Sequence, residues 1–490
     1  MTWVSRAGVV IADRVPAAAR RAWVRAGHCP GRDLHSLFRD RVRHHPGRVA
    51  VIDDRGRLTY GELDEQARGL AGALAARPGD IVGVRVPNGR DAVVAELAVA
   101  ACGAVALPFT GGRTDALNLL GRARAASLIT DDDLPWPAVP PHARGEGRKP
   151  VTVDPESPAR LLVSSGSEAE PKLVAYSHNA FAGGRGNYLR AVHRDTPVWR
   201  DLVLVPLSSA YGSFGATITL CRFGGTLVLR PRFDAVDALR AIAEHRPTHV
   251  FGVPAMLRRL TEHAPAFDTS SLRAVVSSGD VLPDDTLRRC REVFGIDVVN
   301  VYGSSDGVNC HTTTPEHGVG RPDPAVTAIR IVDGEICALG PMTPLDHVGG
   351  GPPRLPGGWV RTGDRGSFDT DGTLHVLRRI KRVVIRGGYT ISPAEIESAL
   401  TGHPDIADAA CVPVPDRELG ERLCACVTVR AGHPAPDLAG LTAFLRTDRG
   451  ITPHKLPERL LVLARLPLTH TGKVCLRTLA GLATAQHGER

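Results

Sequence analysis

The sequence predicts an α/β protein whose larger part is built of parallel sheets covered by helices, followed by a smaller domain of mixed composition. Three observations predict it. Short apolar runs alternate with helical periods from Asp80 onward, as parallel sheets require, because each parallel connection must cross a face of the sheet. At 490 residues the chain exceeds the ~250–300 residues at which one hydrophobic core stops growing. The pattern also changes at Arg378 to Lys381, past which about 110 residues remain, one small domain's worth. Domains of 1–379 and 380–490 are therefore expected.

Thr59 stands just ahead of an Ala/Leu-rich helix, where its hydroxyl can accept from the first free N–H groups, and a second helix is expected directly behind. Asp80 to Val86 then reads as a strand, Ala92 to Cys102 as a helix and Ala104 to Pro108 as a strand. The strand signal recurs at Leu202 to Leu207, Thr226 to Leu229, His249 to Val253 and Ala274 to Ser277. Thr130 to Val151 is rich in Asp, Pro, Gly and Arg without any period, and reads as a surface connection. Beyond the seam, strands near Val383 and Ala409, an acidic helix at Pro393 to Leu400 and a strand at Leu423 to Val429 are expected.

With 43% hydrophobic and 23% charged residues, wholesale disorder is excluded. The net charge of +8 is spread along the chain, without a basic block or an aromatic-basic interleave. That pattern reads as a solvated surface and not as a nucleic-acid site, although its field favours small polyanions such as nucleotides. The ten cysteines are scattered, and Cys424 and Cys426 alternate along an apolar run as in ordinary strand packing. Neither a zinc site nor a disulfide framework is indicated, so a reducing, cytoplasmic location is expected. No apolar run approaches a membrane span. Arg20, Arg21 and Arg25 among alanines imitate a transit peptide, but Asp13 and the helical pattern favour an N-terminal element of the fold.

The stretch Leu161 to His178 gives the rest its meaning. An apolar strand runs into Ser164, Ser165, Gly166 and Ser167, with Pro171 and Lys172 behind. A turn of this kind aims N–H groups and hydroxyls at phosphate oxygens, and a lysine supplies mobile positive charge. A surface loop linking two elements fits the stretch equally well by itself.

Five further stretches follow in a fixed order: Thr59-Tyr60-Gly61-Glu62-Leu63, Tyr302-Gly303-Ser304-Ser305-Asp306, Arg361-Thr362-Gly363-Asp364, Arg386-Gly387-Gly388-Tyr389 and Thr471-Gly472-Lys473. Together they resemble the acyl-adenylate-forming superfamily over nearly the whole chain. The resemblance implies a large N-terminal domain of two helix-covered β/α subdomains plus a small distorted β-barrel, and a small mobile α+β C-terminal domain. It also implies a two-step reaction. ATP converts a carboxylate to an acyl-AMP, and a thiol then displaces AMP.

By the same resemblance Tyr302 stacks on adenine, Gly303 lets the backbone approach, and Ser305 replaces a Thr at the α-phosphate. Asp306 replaces a Glu that binds Mg²⁺, keeping the charge on a side chain one methylene shorter. Asp364 takes the ribose hydroxyls, Arg379 adds a ribose contact, and Lys473 bridges the carboxylate and α-phosphate. Lys381 lies at the hinge of the small domain, with Gly387 and Gly388 beside the passage for the CoA arm. Ser278, Gly279 and Asp280 are counted with the nucleotide contacts. Ser209, Tyr211, Phe214, Gly215, Gly252, Val253, Asn300 and Val301 are assigned to the acid pocket. Ser209 stands where many CoA-forming relatives have a His, and no Asp near Tyr211 to Thr217 offers to meet an α-ammonium. Gly212, Gly215 and Ala216 are expected to leave room for a bulky or aromatic acid.

The resemblance fails at one place. Where the family has Ser-Gly-Thr-Thr-Gly-x-Pro-Lys-Gly, this chain has Glu168 for a hydroxyl, Ala169 for a glycine and Leu173 for the last glycine. A carboxylate ~4 Å from a phosphate oxygen costs about 4 kcal/mol per charge pair at an effective dielectric near 20. A lost donor adds roughly 1.5–3 kcal/mol, and Ala169 about 1 kcal/mol if its position needs positive φ. The thioester step contains no β- or γ-phosphate and escapes these losses. The chain thus reads as an acyl-CoA ligase acting on an acyl-AMP and CoA, weak or deficient in adenylation, and served by a separate adenylating enzyme. A complete synthetase using ATP and Mg²⁺ and a nucleotide-binding pseudoenzyme are the alternatives. The expected partners are small molecules, with no nucleic acid or membrane, and the expected state is a monomer or homodimer.

Overall fold

The computed structural model describes residues 2–164, 171–194, 196–380, 382–386, 389–469 and 473–487. The chain divides into two compact units, one of Met1–Thr362 with Ser367–His375 and one of Gly363–Gly366 with Val376–Arg490.

Two sheets dominate the first unit. The first has seven strands in the order Asp346–His347, Lys172–Ser177, Pro158–Ser164, Val105–Pro108, Ile81–Val84, Ser127–Ile129 and Ala138–Val139. Pairing is parallel from Pro158–Ser164 outward to Ala138–Val139 and antiparallel on the other side. The second has eight strands, Asn309–Thr312, Asp297–Gly303, Ala274–Ser278, His249–Gly252, Arg200–Val203, Thr226–Leu229, Val49–Asp53 and Gly56–Thr59. All but its two edge strands pair in parallel. Strands such as Ile81–Val84 and Thr226–Leu229 are buried at every residue, which parallel strands tolerate because helices cover both faces.

The helix Arg90–Ala101 packs against a strand of each sheet, Val49–Asp53 and Ile81–Val84. Its residues are buried continuously from Ala92 to Ala101, as an apolar helix sandwiched between layers must be. Helix Tyr60–Ala73 starts at the capping box predicted by Thr59, with Glu62 reaching back to the Thr59 N–H at 2.8 Å. The second helix expected behind it does not form, because Pro78 and Gly79, at φ +86°, turn the chain into Ile81–Val84. The run expected as a strand over Leu202 to Leu207 ends at Val203, ahead of Pro206, which has no N–H for a ladder. Thr130 to Val151 does contain a short strand, Ala138–Val139, pairing with Leu128 and Ile129.

The hairpin Ala328–Val332 and Glu335–Leu339 turns on Asp333 and Gly334, both at positive φ, as a two-residue hairpin turn requires. Val360–Phe368 and Leu374–Arg379 extend it into a four-stranded sheet. This curled half-barrel stands where the small β-barrel was expected, and the division between units cuts through its last two strands. Near the N-terminus, Arg20 on helix Ala17–Arg25 is buried and paired with Asp13 and Glu156. That helix is therefore part of the fold. The second unit is α+β: Gly420–Val429 lies between Val384–Arg386 and Ile406–Asp416, Arg459–Val462 adds in parallel, and helices Pro393–Thr401, Leu438–Thr447 and Leu476–His487 pack with them. Cys424 and Cys426 are both fully buried on one face of their strand, with Leu461 and Leu479. Among the described residues no helix is long and apolar enough to cross a membrane.

Burial holds three imidazoles of the first unit neutral. Desolvation pushes His35, His178 and His249 down to about 4, and His178 Nδ1 accepts from the Leu34 N–H at 3.2 Å, which only an unprotonated nitrogen can do. The unfolded chain binds these protons near pH 6.5 while the folded chain refuses them until about 4. The stability they contribute is thus present above pH 6.5 and lost as pH falls, on the order of 3 kcal/mol for each ring. Glu96, pushed by burial up to about 7, opposes this as a single group. The melting temperature should therefore fall by several degrees between about pH 7.5 and about pH 4.5; calorimetry showing no fall would contradict neutral burial.

Candidate active site

The carboxyl ends of adjacent parallel strands gather most of the predicted residues of the first unit. Gly252 and Val253 follow His249–Gly252, Ser278, Gly279 and Asp280 leave Ala274–Ser278, and Asn300 to Gly303 end Asp297–Gly303. The segment holding Ser209, Tyr211, Phe214 and Gly215 follows Arg200–Val203. Ligands collect at such ends in open parallel sheets, where loops diverge above fixed strand spacings. Ser278 Oγ donates to the Val301 carbonyl at 2.8 Å, tying the two strand ends together, and Gly279 adopts φ +93°.

The segment after Val203 has no ladder, so side chains from elsewhere hold it. Asn88 donates to the Val205 carbonyl at 3.0 Å and accepts from the Leu207 N–H at 2.9 Å. Arg160 donates to the Leu207 carbonyl at 2.7 Å, and Arg185 to the Ala210 carbonyl at 2.8 Å. None of the three was picked out from sequence, since each bonds a segment far from it along the chain. Ser209 donates to the Pro206 carbonyl at 2.7 Å and accepts from the Gly212 N–H at 2.9 Å; its hydroxyl closes the turn. Tyr211 donates to the Val276 carbonyl at 3.0 Å, and burial pushes its phenol well above its ordinary range. Phe214 is fully buried, its ring 4.5 Å from that of Phe251.

The room expected beside Phe214 is not supplied by glycine. A Cβ on Gly212 would stand 2.2 Å from the Pro206 carbonyl oxygen, and one on Gly215 would stand 2.7 Å from Leu207 Cδ2. Both glycines serve close chain packing. The expectation of a bulky acid loses the basis it had in them.

Ser164 and Lys172 are register partners on antiparallel strands, so residues 165–171 connect one strand to its neighbour and Glu168 is the middle residue of that connection. Ser165, Gly166, Ser167, Glu168 and Ala169 lie outside the described residues. Arg122 donates to the Pro171 carbonyl at 2.6 Å, fixing the exit. Leu173 is fully buried among Phe109, Leu120 and Leu161. Its side chain fills the core, so packing accounts for the leucine that stands where the family has a glycine.

The loop after Tyr302 and Gly303 is a tight connection between Asp297–Gly303 and Asn309–Thr312. Gly307 takes φ +89°, Ser305 is buried, and its carbonyl accepts from Tyr176 Oη at 2.8 Å. Asp306 Oδ1 accepts from His347 Nε2 at 2.8 Å, and both side chains are mostly buried. His347 was not foreseen, because it comes from the edge strand Asp346–His347 of the other sheet.

In the second unit Asp364 is buried, with its Oδ1 3.2 Å from the half-exposed Arg379 Nη1. Gly363, at φ +77°, makes the bend that brings them together, and its carbonyl accepts from the Ile380 N–H at 2.7 Å. Lys473 is exposed, its N–H on Thr469 Oγ1 at 3.2 Å and its carbonyl on the Thr469 N–H at 2.6 Å. Lys381, Gly387 and Gly388 lie outside the described residues.

Among the described residues one group of metal-ligating types, His193, Asp201 and His249, is buried elsewhere in the first unit. His193 bonds the Leu189 carbonyl and Asp201, both at 2.8 Å, Asp201 also accepts from Thr219 Oγ1, and His249 bonds Thr248 Oγ1 and the Val192 carbonyl. Every ring nitrogen and both carboxylate oxygens are satisfied without an ion.

Comparison with known proteins agrees with this arrangement. The AMP-binding enzyme profile matches residues 38–116 and 113–343, and the AMP-binding enzyme C-terminal domain profile matches 395–473. The salicyl-AMP ligase / salicyl-S-ArCP synthetase of Mycobacterium tuberculosis (strain ATCC 25618 / H37Rv) is 31% identical, over 96% of this chain and 94% of its own. The 3-[(3aS,4S,7aS)-7a-methyl-1,5-dioxo-octahydro-1H-inden-4-yl]propanoyl:CoA ligase of the same organism is 30% identical, over 88% and 95%. The structure of the amide bond synthetase McbA from Marinactinospora thermotolerans aligns with a TM-score of 0.77 at 30% identity, over 92% of this chain and 99% of that one. The chain belongs to the AMP-binding enzyme family, among the acyl- and aryl-CoA ligases of the acyl-adenylate-forming superfamily.

Proposed function

We propose that this chain makes an acyl thioester from an acyl-AMP and CoA, and makes acyl-AMP from a carboxylic acid and ATP only slowly. The sulfur of the CoA thiolate attacks the acyl carbon, a C–S bond forms, and the bond from that carbon to the phosphate oxygen breaks. AMP departs with the electron pair, and the thiol proton goes to solvent. Tyr302 and Gly303 hold the adenine, Asp364 accepts from the ribose diol with Arg379 beside it, and Ser305 meets the α-phosphate. The acid portion lies along the segment held by Asn88, Arg160 and Arg185. Gly387 and Gly388 border the path of the thiol, and Lys381 is the hinge.

The contrast between the two sets of residues carries this reading. Asp364 and Arg379 stand 3.2 Å apart, whereas in the sequence a carboxylate, Glu168, falls midway between the register partners Ser164 and Lys172. At about 4 kcal/mol for one such charge pair, adenylation falls by about a thousandfold. The thioester step has no phosphate there to repel. The relatives differ in the partner named for the acyl group, a carrier protein in one and CoA in another; the glycine pair favours CoA here. A complete ATP-dependent synthetase is the second reading, supported by the retained Lys172 and by Lys473, whose N–H donates to Thr469 Oγ1 at 3.2 Å.

Pyrophosphate exchange with a panel of carboxylic acids should run about a thousandfold slower than thioester formation from the matching synthetic acyl-AMP and CoA. Equal rates would establish the complete synthetase, and the absence of both reactions a pseudoenzyme. Glu168→Thr should raise exchange by about a hundredfold or more while leaving thioester formation from acyl-AMP unchanged. Asp364→Asn should lower kcat/KM for acyl-AMP by about ten- to a hundredfold through loss of charge-assisted bonds to the ribose; an unchanged value would remove Asp364 from the nucleotide site.

A further inference from the structure

Two stretches that leave different strand ends of the first unit meet on one pair of side chains. Tyr176 is fully buried on Lys172–Ser177, and its Oη donates to the Ser305 carbonyl at 2.8 Å. Arg185, buried near the start of helix Gly184–His193, lays its guanidinium over the Tyr176 ring, with Cζ 5.1 Å from the ring centroid. Its Nη1 donates to the Ala210 carbonyl at 2.8 Å and to Ser213 Oγ at 3.2 Å, and Ser213 Oγ donates to the same carbonyl at 2.8 Å. Phe181 completes the group. Its ring meets that of Tyr176 edge-on at 5.8 Å, with the guanidiniums of Arg185 and Arg160 at 5.3 and 5.5 Å. The two arginines that hold the segment after Val203, at Leu207 and at Ala210, thus bear on one ring.

A cation over an aromatic face is drawn to the negative centre of the ring, and the attraction strengthens where water is excluded. A buried tyrosine whose hydroxyl sits on a carbonyl keeps its orientation, because turning away would leave both groups without partners. We propose that Tyr176 and Arg185 are positioning residues, which fix the segment 207–213 relative to the loop 302–306 and so hold the acyl carbon and the α-phosphate of acyl-AMP in one geometry. That role presupposes that these stretches are the acid and nucleotide sides of the site, the reading proposed above. Tyr176 ties the loop to the Arg185 guanidinium, and Arg185 ties that guanidinium to the segment. A misplacement of about 1 Å between the two sides is enough to slow the reaction about a hundredfold.

Hydrogen exchange read by mass spectrometry on the full chain, with and without AMP, tests the link. Tyr176→Phe removes one hydroxyl and should raise exchange in 207–213 as well as in 302–306, and Arg185→Gln should raise it in both from the other side. A rise confined to 302–306 in Tyr176→Phe would overturn the proposal, even if Arg185→Gln does not fold. AMP should slow exchange in both stretches of the wild-type protein, but only in 302–306 of Tyr176→Phe; equal slowing of 207–213 in the two proteins would also overturn it. AMP that slows neither stretch of the wild type would remove the nucleotide reading, and the positioning role with it, even where the variants show the stretches to be coupled. In thioester formation from CoA and benzoyl-, salicyl- or hexanoyl-AMP, whichever the wild type uses fastest, Tyr176→Phe should lower kcat by about ten- to a hundredfold and leave the KM for CoA unchanged. A wild-type kcat, measured well below the melting temperature of the variant, would reduce Tyr176 to a packing residue.

Discussion

A guanidinium with 1% of its surface exposed must be satisfied where it stands, and Arg160 is placed so that satisfying it joins three parts of the first unit. Glu96, on the helix packed between the sheets, pairs with it, and the Leu207 carbonyl of the segment after Val203 accepts its other end. Arg160 itself belongs to Pro158–Ser164, the strand that leads to residues 165–171. Breaking one member of such a buried pair leaves an uncompensated charge, typically a loss of about 3–5 kcal/mol. The strand into the turn, the helix between the sheets and the pocket segment are thereby held in one arrangement.

Around that anchor, irregular backbone is supported by side chains where a sheet ladder is missing. Asn88 and Arg185 supply to residues 205–210 the bonds that a strand would have supplied, since buried main-chain groups need partners of some kind. The same economy governs Ser209, whose hydroxyl closes its own turn, and Gly212, whose missing Cβ lets the chain lie against Pro206. A site built in this way has fixed walls. The rings of Tyr211, Phe214 and Phe251 pack beside it, those of Phe214 and Phe251 4.5 Å apart.

The family's chemistry divides between groups that meet phosphates and groups that meet the AMP ester. Asp364 and Arg379 stand together within the second unit. Glu168 and Ala169 are departures from the family's turn visible in the sequence, while the contact of Asp306 with His347 is visible only in three dimensions. Leu173 shows the opposite case, a substitution that looks damaging in a motif and is absorbed by core packing.

The parallel α/β architecture, the capped helix after Thr59 and the ordered set of motifs were legible in the sequence, because each rests on local chemistry: periodicity, a capping hydroxyl, glycines at tight bends. Gly363 and Asp364 belong to that class, since bend and carboxylate are adjacent. The end of the strand at Val203, the service of Asn88, Arg160 and Arg185, and the engagement of Asp306 were not legible. Their partners lie on other elements, and only the packing of the two sheets brings His347 within hydrogen-bond distance of Asp306. Local sequence determines which groups a segment offers; tertiary structure decides which of them are already taken, because hydrogen bonds and charges are satisfied by proximity in space and not along the chain.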